Sequence, residues 1–304
     1  MQLLTFQPDP TSSIEDPRTH RLGLLSAGNQ IIDLSPVASS MLQFIALGAP
    51  ALEHAARLAA AAAPTFALSD VRLLAPIPHP LRNIICLGRN YAEHARESAA
   101  VWGQAADLPA FPVFFTKATT SINHPDAPIP IDPSVSSQID WEAELAVIIG
   151  RRGKNIPAAA AISHIFGYTC LNDVTARDLQ RQHQQYFKGK SLDGTCPLGP
   201  WIVTTDAIPD PHNLRIQCRV NGQLMQDAHT SQMIFNIPHI IAALSQGMTL
   251  HPGDIIATGT PSGVGFARTP PQFLHPGDLV EVEIQNIGIL RNPINHSPIH
   301  PFTN

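Results

Sequence analysis

Residues 139–150 read IDWEAELAVIIG, a run with three acids in its first half and none in its second. Side chains along a strand alternate between its two faces. Asp140, Glu142 and Glu144 therefore share one face, about 6–7 Å apart, while Trp141, Ala143 and Leu145 take the other. After Glu144 the run is wholly apolar, as expected of a strand entering a core. Carboxylates at such an entrance suit either the solvated face of an edge strand or a pair of oxygen ligands for a hard cation. The rest of the chain has to decide.

At 304 residues the chain can bury a full core, as one large domain or a small one plus a large one. Charged residues make up 14%, against roughly 25% in typical domains, and there are 29 prolines. That balance favours many turns and short strands over long surface helices. A net charge of −5 without any Lys/Arg run gives nucleic-acid binding little electrostatic support. The start MQLLTFQPDPTSS lacks the basic and apolar regions of a secretory signal. No apolar stretch approaches the roughly 18 residues of a transmembrane helix. Cys86, Cys170, Cys196 and Cys218 form no CxxC pair, which disfavours zinc and a disulfide framework. A reducing cytoplasm is the expected location.

Outward from the opening run, residues 1–75 read as a small N-terminal α+β domain and 76–304 as a larger, strand-rich one. RLGLLSAGNQIIDL (21–34) is a hairpin around Ala27-Gly28-Asn29, and MLQFIALG and ALEHAARLAAAAA read as helices. From Asn83 short strands dominate: NIICLG, FPVFFTK, LAVIIG, FGYTCLND and GPWIVT. Asn221-Gly222 marks a second hairpin. VTARDLQRQHQQ (174–185) and IPHIIAALSQG (237–247) read as helices. Two LHPGD segments, at 250 and 274, are type II turn chemistry feeding strands. The Pro- and His-rich tail, with His296 and His300, reads as a solvated wrap.

Polar clusters interrupt these strands at their ends. In GRNYAEHARE (88–97), His94 and Glu97 lie three apart and share a face of a short helical turn, where a carboxylate can orient an imidazole base. The Gly-, Ala- and Pro-containing stretch 98–110 suits a mobile lid. Asp173 ends a strand in LNDVTARDLQ, where it is either an N-cap or a third oxygen ligand. Lys190 sits in the loop FKGKSLDGTCPLGP. Together these supply a hard-cation site, a His/Glu base and a cation, parts that suit enolate chemistry on a 2-oxo acid.

The segments GRNYAEHARE, DWEAELAVIIG, LNDVTARDLQ, GKSLDGTCPLGPW, VNGQLMQDAHTSQMIF and GDIIATGTPSGVG also resemble the successive motifs of the fumarylacetoacetate hydrolase superfamily, in family order over roughly 83–284. The two-part layout is most similar to the branch of fumarylacetoacetate hydrolase domain-containing protein 2 and its bacterial relatives. The resemblance implies a β-rich α+β fold, a mixed β-sandwich roll, in a homodimer. It implies Mg²⁺ or Mn²⁺, with Ca²⁺ as a further option, on Glu142, Glu144 and Asp173; Asp140 matches no ligand position. Lys190 fits the catalytic lysine, and His94 with Glu97 the lid dyad. Arg177, Gln180 and Thr260 fit positions that contact the substrate carboxylate or keto group. Leu192 replaces an aromatic common in the lysine motif, and the lid stretch is several residues longer than in the nearest branch.

Three functional readings follow. The first is metal-dependent C–C bond hydrolysis of 2,4-dioxo acids of the acylpyruvate or fumarylpyruvate type. The alternative keeps the site but not the hydrolytic water: oxaloacetate keto–enol tautomerisation or decarboxylation, or isomerisation of 5-carboxymethyl-2-hydroxymuconate. The third, a non-catalytic metal-binding homologue, is opposed by the intact set of site residues. Removing Glu142 or Asp173 is expected to abolish metal binding with little loss of fold.

Overall fold

A computed structural model describes residues 1–61, 63–103 and 107–297. Ala143–Ile149 lies at the centre, with the antiparallel strands Ile165–Asn172 and Ile255–Ala257 on either side. An edge strand is thereby excluded, and every residue of Ala143–Ile149 is buried. Leu145, Val147 and Ile149 face one core and Ala146 and Ile148 another, so the strand is covered on both sides.

The large sheet continues from Ile165–Asn172 to Cys196–Thr204 and on to the N-terminal strand Gln2–Gln7. In the other direction Ile255–Ala257 pairs in parallel with Ile84–Gly88, which pairs with Val113–Lys117. Twelve strands belong to this sheet and five to a second one, ordered Gln223–His229, Arg215–Val220, Leu279–Ile284, Gly288–His296 and Ile129–Ile131. Neither sheet closes into a barrel. Leu145 and Val147 share a core with Ile216, Val280 and Leu290 of the second sheet. The helices Met41–Leu47 and Ala49–Ala61 cover the opposite face, with Phe44 edge-on to Phe166 at 6.2 Å. The fold is the expected β-rich α+β arrangement. The first 75 residues extend the large sheet through Gln2–Gln7.

Both hairpins form where expected, Arg21–Ser26 with Gln30–Asp33 and Arg215–Val220 with Gln223–His229. All four cysteines are buried free thiols. Other segments differ from the sequence reading. The 174–185 helix is confined to Arg177–Gln182, because Thr175–Ala176 pairs as a strand with Ile139–Asp140. Lys190 ends a short helix, Phe187–Lys190, instead of lying in a loop. His94 and Glu97 belong to an eleven-residue helix, Ala92–Trp102, which takes in the first part of the expected lid. Alanine favours that extension, and Ala95 and Ala99 bury its inner face. Of the lid, 104–106 lie outside the described residues, as does His300 of the tail; His296 is an exposed strand end. No helix among the described residues is long and apolar enough to cross a membrane.

At the junction after Leu74, Ala75 N–H donates to Nδ1 of His124 at 3.0 Å, which requires that nitrogen unprotonated. Burial, then His20, His79 and Arg72, push the imidazole down to about 4. An unfolded histidine titrates near 6.5, so the unfolded chain binds more protons between the two values. This contribution is therefore complete above about pH 6.5 and is lost as pH falls toward 4, on the order of 3 kcal/mol. His124→Gln, whose carbonyl can still accept from Ala75, should show a shallower loss of stability than the parent in urea titrations across that window. Parallel curves would contradict the assignment.

Candidate active site

Glu142 and Glu144 flank the start of the central strand, and Asp173 follows the last residue of its neighbour. Asp173 N–H donates to the Glu142 carbonyl at 2.9 Å, so backbone pairing brings the two acids together. Oxygen atoms of Glu142, Glu144 and Asp173 lie within 4.8 Å of one another, all buried. Asp140 points elsewhere: its carboxylate accepts from the backbone N–H of Gly265 (2.7 Å) and Phe266 (3.0 Å) and from Arg177 Nε at 2.9 Å. It holds the 263–267 loop and Arg177, so the three acids of the opening run do not share one destination. The short Ile139–Asp140 strand pairs with Thr175–Ala176 and the strand resumes only at Ala143, which breaks the simple alternation.

Three buried cations are threaded among these acids. Lys117 Nζ lies 2.9 Å from Asp173. Lys190 Nζ lies 2.7 Å from Asp173 and 2.8 Å from Glu142. Arg177 Nη2 lies 2.7 Å from Glu142, beyond its bond to Asp140. Glu144 alone of the four acids has no cation partner among the described residues; its recorded contact is Gly259 N–H at 2.8 Å. Burial, then Asp173 and Glu142, raise its carboxyl well above the ordinary carboxylate range. Burial also disfavours the Glu142 anion, but Lys190 and Arg177 outweigh it and hold that group low. The same acids keep Lys190 protonated against its burial.

A buried trio of oxygen donors with an uncompensated acid fits a divalent hard cation, and the lack of Cys or His among the donors disfavours zinc. Lys117 was not anticipated as part of this cluster. The signal available is a lysine closing the apolar run VFFTK, where the strand direction carries it inward.

The wall of the site is built by the Ala92–Trp102 helix. His94 Nδ1 lies 2.9 Å from Glu97 Oε1, and Glu97 also accepts from Gly263 N–H at 3.1 Å. An ionised carboxylate can only accept, so this contact calls for the proton on Nδ1 and turns the Nε2 lone pair away from Glu97. Gly263 has φ +100, and a Cβ there would lie 2.2 Å from the Met225 carbonyl oxygen, so the loop can approach Glu97 only with glycine. His94, Glu142, Lys190, Arg177, Gln180 and Thr260 line one pocket together with Leu87, Arg89, Trp102, Phe115 and Tyr186. Gln180 accepts from Arg177 Nη1 at 3.2 Å, and Thr260 Oγ1 from Gln226 at 2.8 Å. Lys190 reaches the acids because Gly189 packs without a side chain: a Cβ there would meet Gln180 N at 2.6 Å and the Ala176 carbonyl at 2.7 Å.

The fold and site define an enzyme of one family. The fumarylacetoacetate (FAA) hydrolase C-terminal family model matches residues 83–295, and the chain belongs to the fumarylacetoacetate hydrolase family. It is 46% identical over 281 residues to oxaloacetate tautomerase YisK of Bacillus subtilis (strain 168), covering 90% of this chain and 92% of that protein. Mitochondrial oxaloacetate tautomerase fahd2 of Xenopus laevis is 44% identical over 301 residues, 97% of this chain and 90% of that one. Among solved structures, maleylpyruvate hydrolase from Sphingobium sp. SYK-6, in complex with manganese(II) ion and pyruvate, matches with a TM-score of 0.78 at 29% identity. That match covers 98% of this chain and all of the other (100%).

Proposed function

We propose that this enzyme holds a divalent cation, Mg²⁺ or Mn²⁺, at Glu142, Glu144 and Asp173 and interconverts the keto and enol forms of oxaloacetate. The observation that carries the reading is a carboxylate trio with one uncompensated acid, beside a pocket walled by a His94 imidazole that Glu97 orients. Relatives named as oxaloacetate tautomerases favour this over the C–C hydrolysis expected first. A bound cation would supply Lewis acidity toward the oxygens of a 2-oxo acid. His94 Nε2 takes the proton from C3 and returns it to the C2 oxygen, so no water is consumed and no carbon–carbon bond breaks. Glu97 fixes the tautomer and balances the imidazolium charge. Lys190 holds negative charge on the enolate oxygen, and Arg177, Gln180 and Thr260 position the substrate. The homodimer implied by the family resemblance belongs to the same reading and is checked by light scattering.

The purified protein with Mg²⁺ or Mn²⁺ should accelerate ketonisation of enol-oxaloacetate, followed by absorbance, and chelation should remove the acceleration. No acceleration over buffer with either metal would overturn the reading. C–C hydrolysis is kept as the second reading because of the Sphingobium maleylpyruvate hydrolase likeness. Cleavage of an acylpyruvate in a parallel assay would put it first.

Lys190→Met should lower kcat by roughly 100–1,000-fold, the usual worth of one charge-stabilising donor, without weakening metal binding. The exposed Lys188→Met is the control and should behave as the parent. A loss of about tenfold or less, well under that range, would demote Lys190 to a structural counter-ion.

A further inference from the structure

Among the described residues, three Lys or Arg side chains line the pocket: Arg89, Arg177 and Lys190. Two of them are paired with the acids of the site as well as facing the pocket. Arg177 uses Nε on Asp140, Nη2 on Glu142 and Nη1 on Gln180. Lys190 is shared by Glu142 and Asp173. Arg89 differs, because no carboxylate among the described residues pairs with it. Its recorded side-chain hydrogen bond runs from Nη2 to the Asp107 carbonyl at 2.9 Å. A guanidinium has five N–H donors, so most of its donating capacity is left over.

The backbone at Arg89 is specialised. Its φ of 58° is uncommon for a residue with a side chain, and its neighbour Asn90 enforces the bend. The Asn90 amide donates to the carbonyls of Thr258 (2.7 Å) and Phe235 (3.1 Å) and accepts from Phe235 N–H at 2.8 Å. A half-buried cation held on an over-determined bend at a pocket wall is placed to meet an anion.

We propose that Arg89 binds the second carboxylate of a 2-oxo dicarboxylate and so makes this site prefer diacids to pyruvate-like monoacids. The proposal rests on the reading of the pocket as a 2-oxo acid site. With the keto acid end on the carboxylate floor, the remainder of the substrate lies in the cavity that Arg89 lines. Leu87 and Phe115, which also line it, offer a carboxylate nothing. Bidentate pairing with a guanidinium supplies both charge and orientation.

The test compares Arg89→Met, Arg89→Gln and Arg89→Lys with the parent, all loaded with Mn²⁺. Arg89→Met should raise KM for oxaloacetate about 10–100-fold, the range expected for hydrogen bonds to a charged group. It should leave kcat within about threefold and the Kd for pyruvate within about twofold, both well below the tenfold step of one such bond. Arg89→Gln keeps a donor for the Asp107 carbonyl but no charge, and should match the Met variant; Arg89→Lys should recover part of the loss. Equal weakening of pyruvate and oxaloacetate, or a parent-like Gln variant beside an impaired Met variant, would reduce Arg89 to a staple for residue 107 and overturn the proposal. A parent inactive on oxaloacetate removes the tautomerase reading only. Calorimetry with 2-oxo diacids and 2-oxo monoacids then decides on Arg89: a diacid preference lost in Arg89→Met supports it, and a parent without that preference refutes it.

Discussion

Glu144→Gln should abolish divalent-cation binding while leaving the metal-free protein at least as stable as the parent. Among the described residues four buried acids meet three buried cations here, and Glu144 is the acid without one. Its ionised form is opposed by burial and by Asp173 and Glu142, so a neutral amide that still accepts from Gly259 removes repulsion at no cost in hydrogen bonding. Asp173→Ala should do the opposite to the fold. It leaves the buried ammonium of Lys117 with no carboxylate and that of Lys190 with Glu142 alone, and breaking a buried ion pair costs about 3–5 kcal/mol. From the sequence, little loss of fold is expected on removing Glu142 or Asp173, because they read as part of a cluster of like charges. The threaded lysines reverse that for Asp173. Titration calorimetry with Mg²⁺ and Mn²⁺, paired with thermal unfolding in chelator, checks both variants. Retained cation affinity in Glu144→Gln would remove it from the ligand set, and equal melting temperatures for the two variants would contradict the charge pairing.

The other large effect is on chemistry. His94→Ala should lower kcat for oxaloacetate tautomerisation by about 100–10,000-fold, the range of a lost general base, with cation affinity unchanged because His94 is not among the donors. Glu97→Gln should fall between this variant and the parent. An amide can accept from Nδ1–H through its oxygen or donate to an unprotonated Nδ1 through its nitrogen, so the tautomer is less firmly set, and Gly263 N–H loses a charged acceptor. Steady-state kinetics on both variants, with calorimetry for the cation, separate a lost base from a mispositioned one. A His94→Ala enzyme within about tenfold of the parent, well short of a general base's contribution, would move the proton transfer to another group.

Much of the molecule was legible in one dimension. Alternating and wholly apolar runs carry strand and burial information, Asn221-Gly222 and Ala27-Gly28-Asn29 carry turn geometry, and six ordered motifs carry the family. The i, i+3 spacing also placed His94 beside Glu97, because helix geometry alone makes those positions neighbours. Where neighbours came from other parts of the chain, the sequence was silent. Alternation put Asp140, Glu142 and Glu144 on one face, yet Asp140 is drawn away by amides 125 and 126 residues distant and by Arg177. Lys190 was read as a loop residue; it ends a short helix, and Gly189 lets that helix sit against Gln180 and so delivers it to two acids. Local pattern states which way a side chain points. Which opposite charge it meets, and hence which acid is left over for a cation, depends on pairings between distant strands that only the tertiary structure decides.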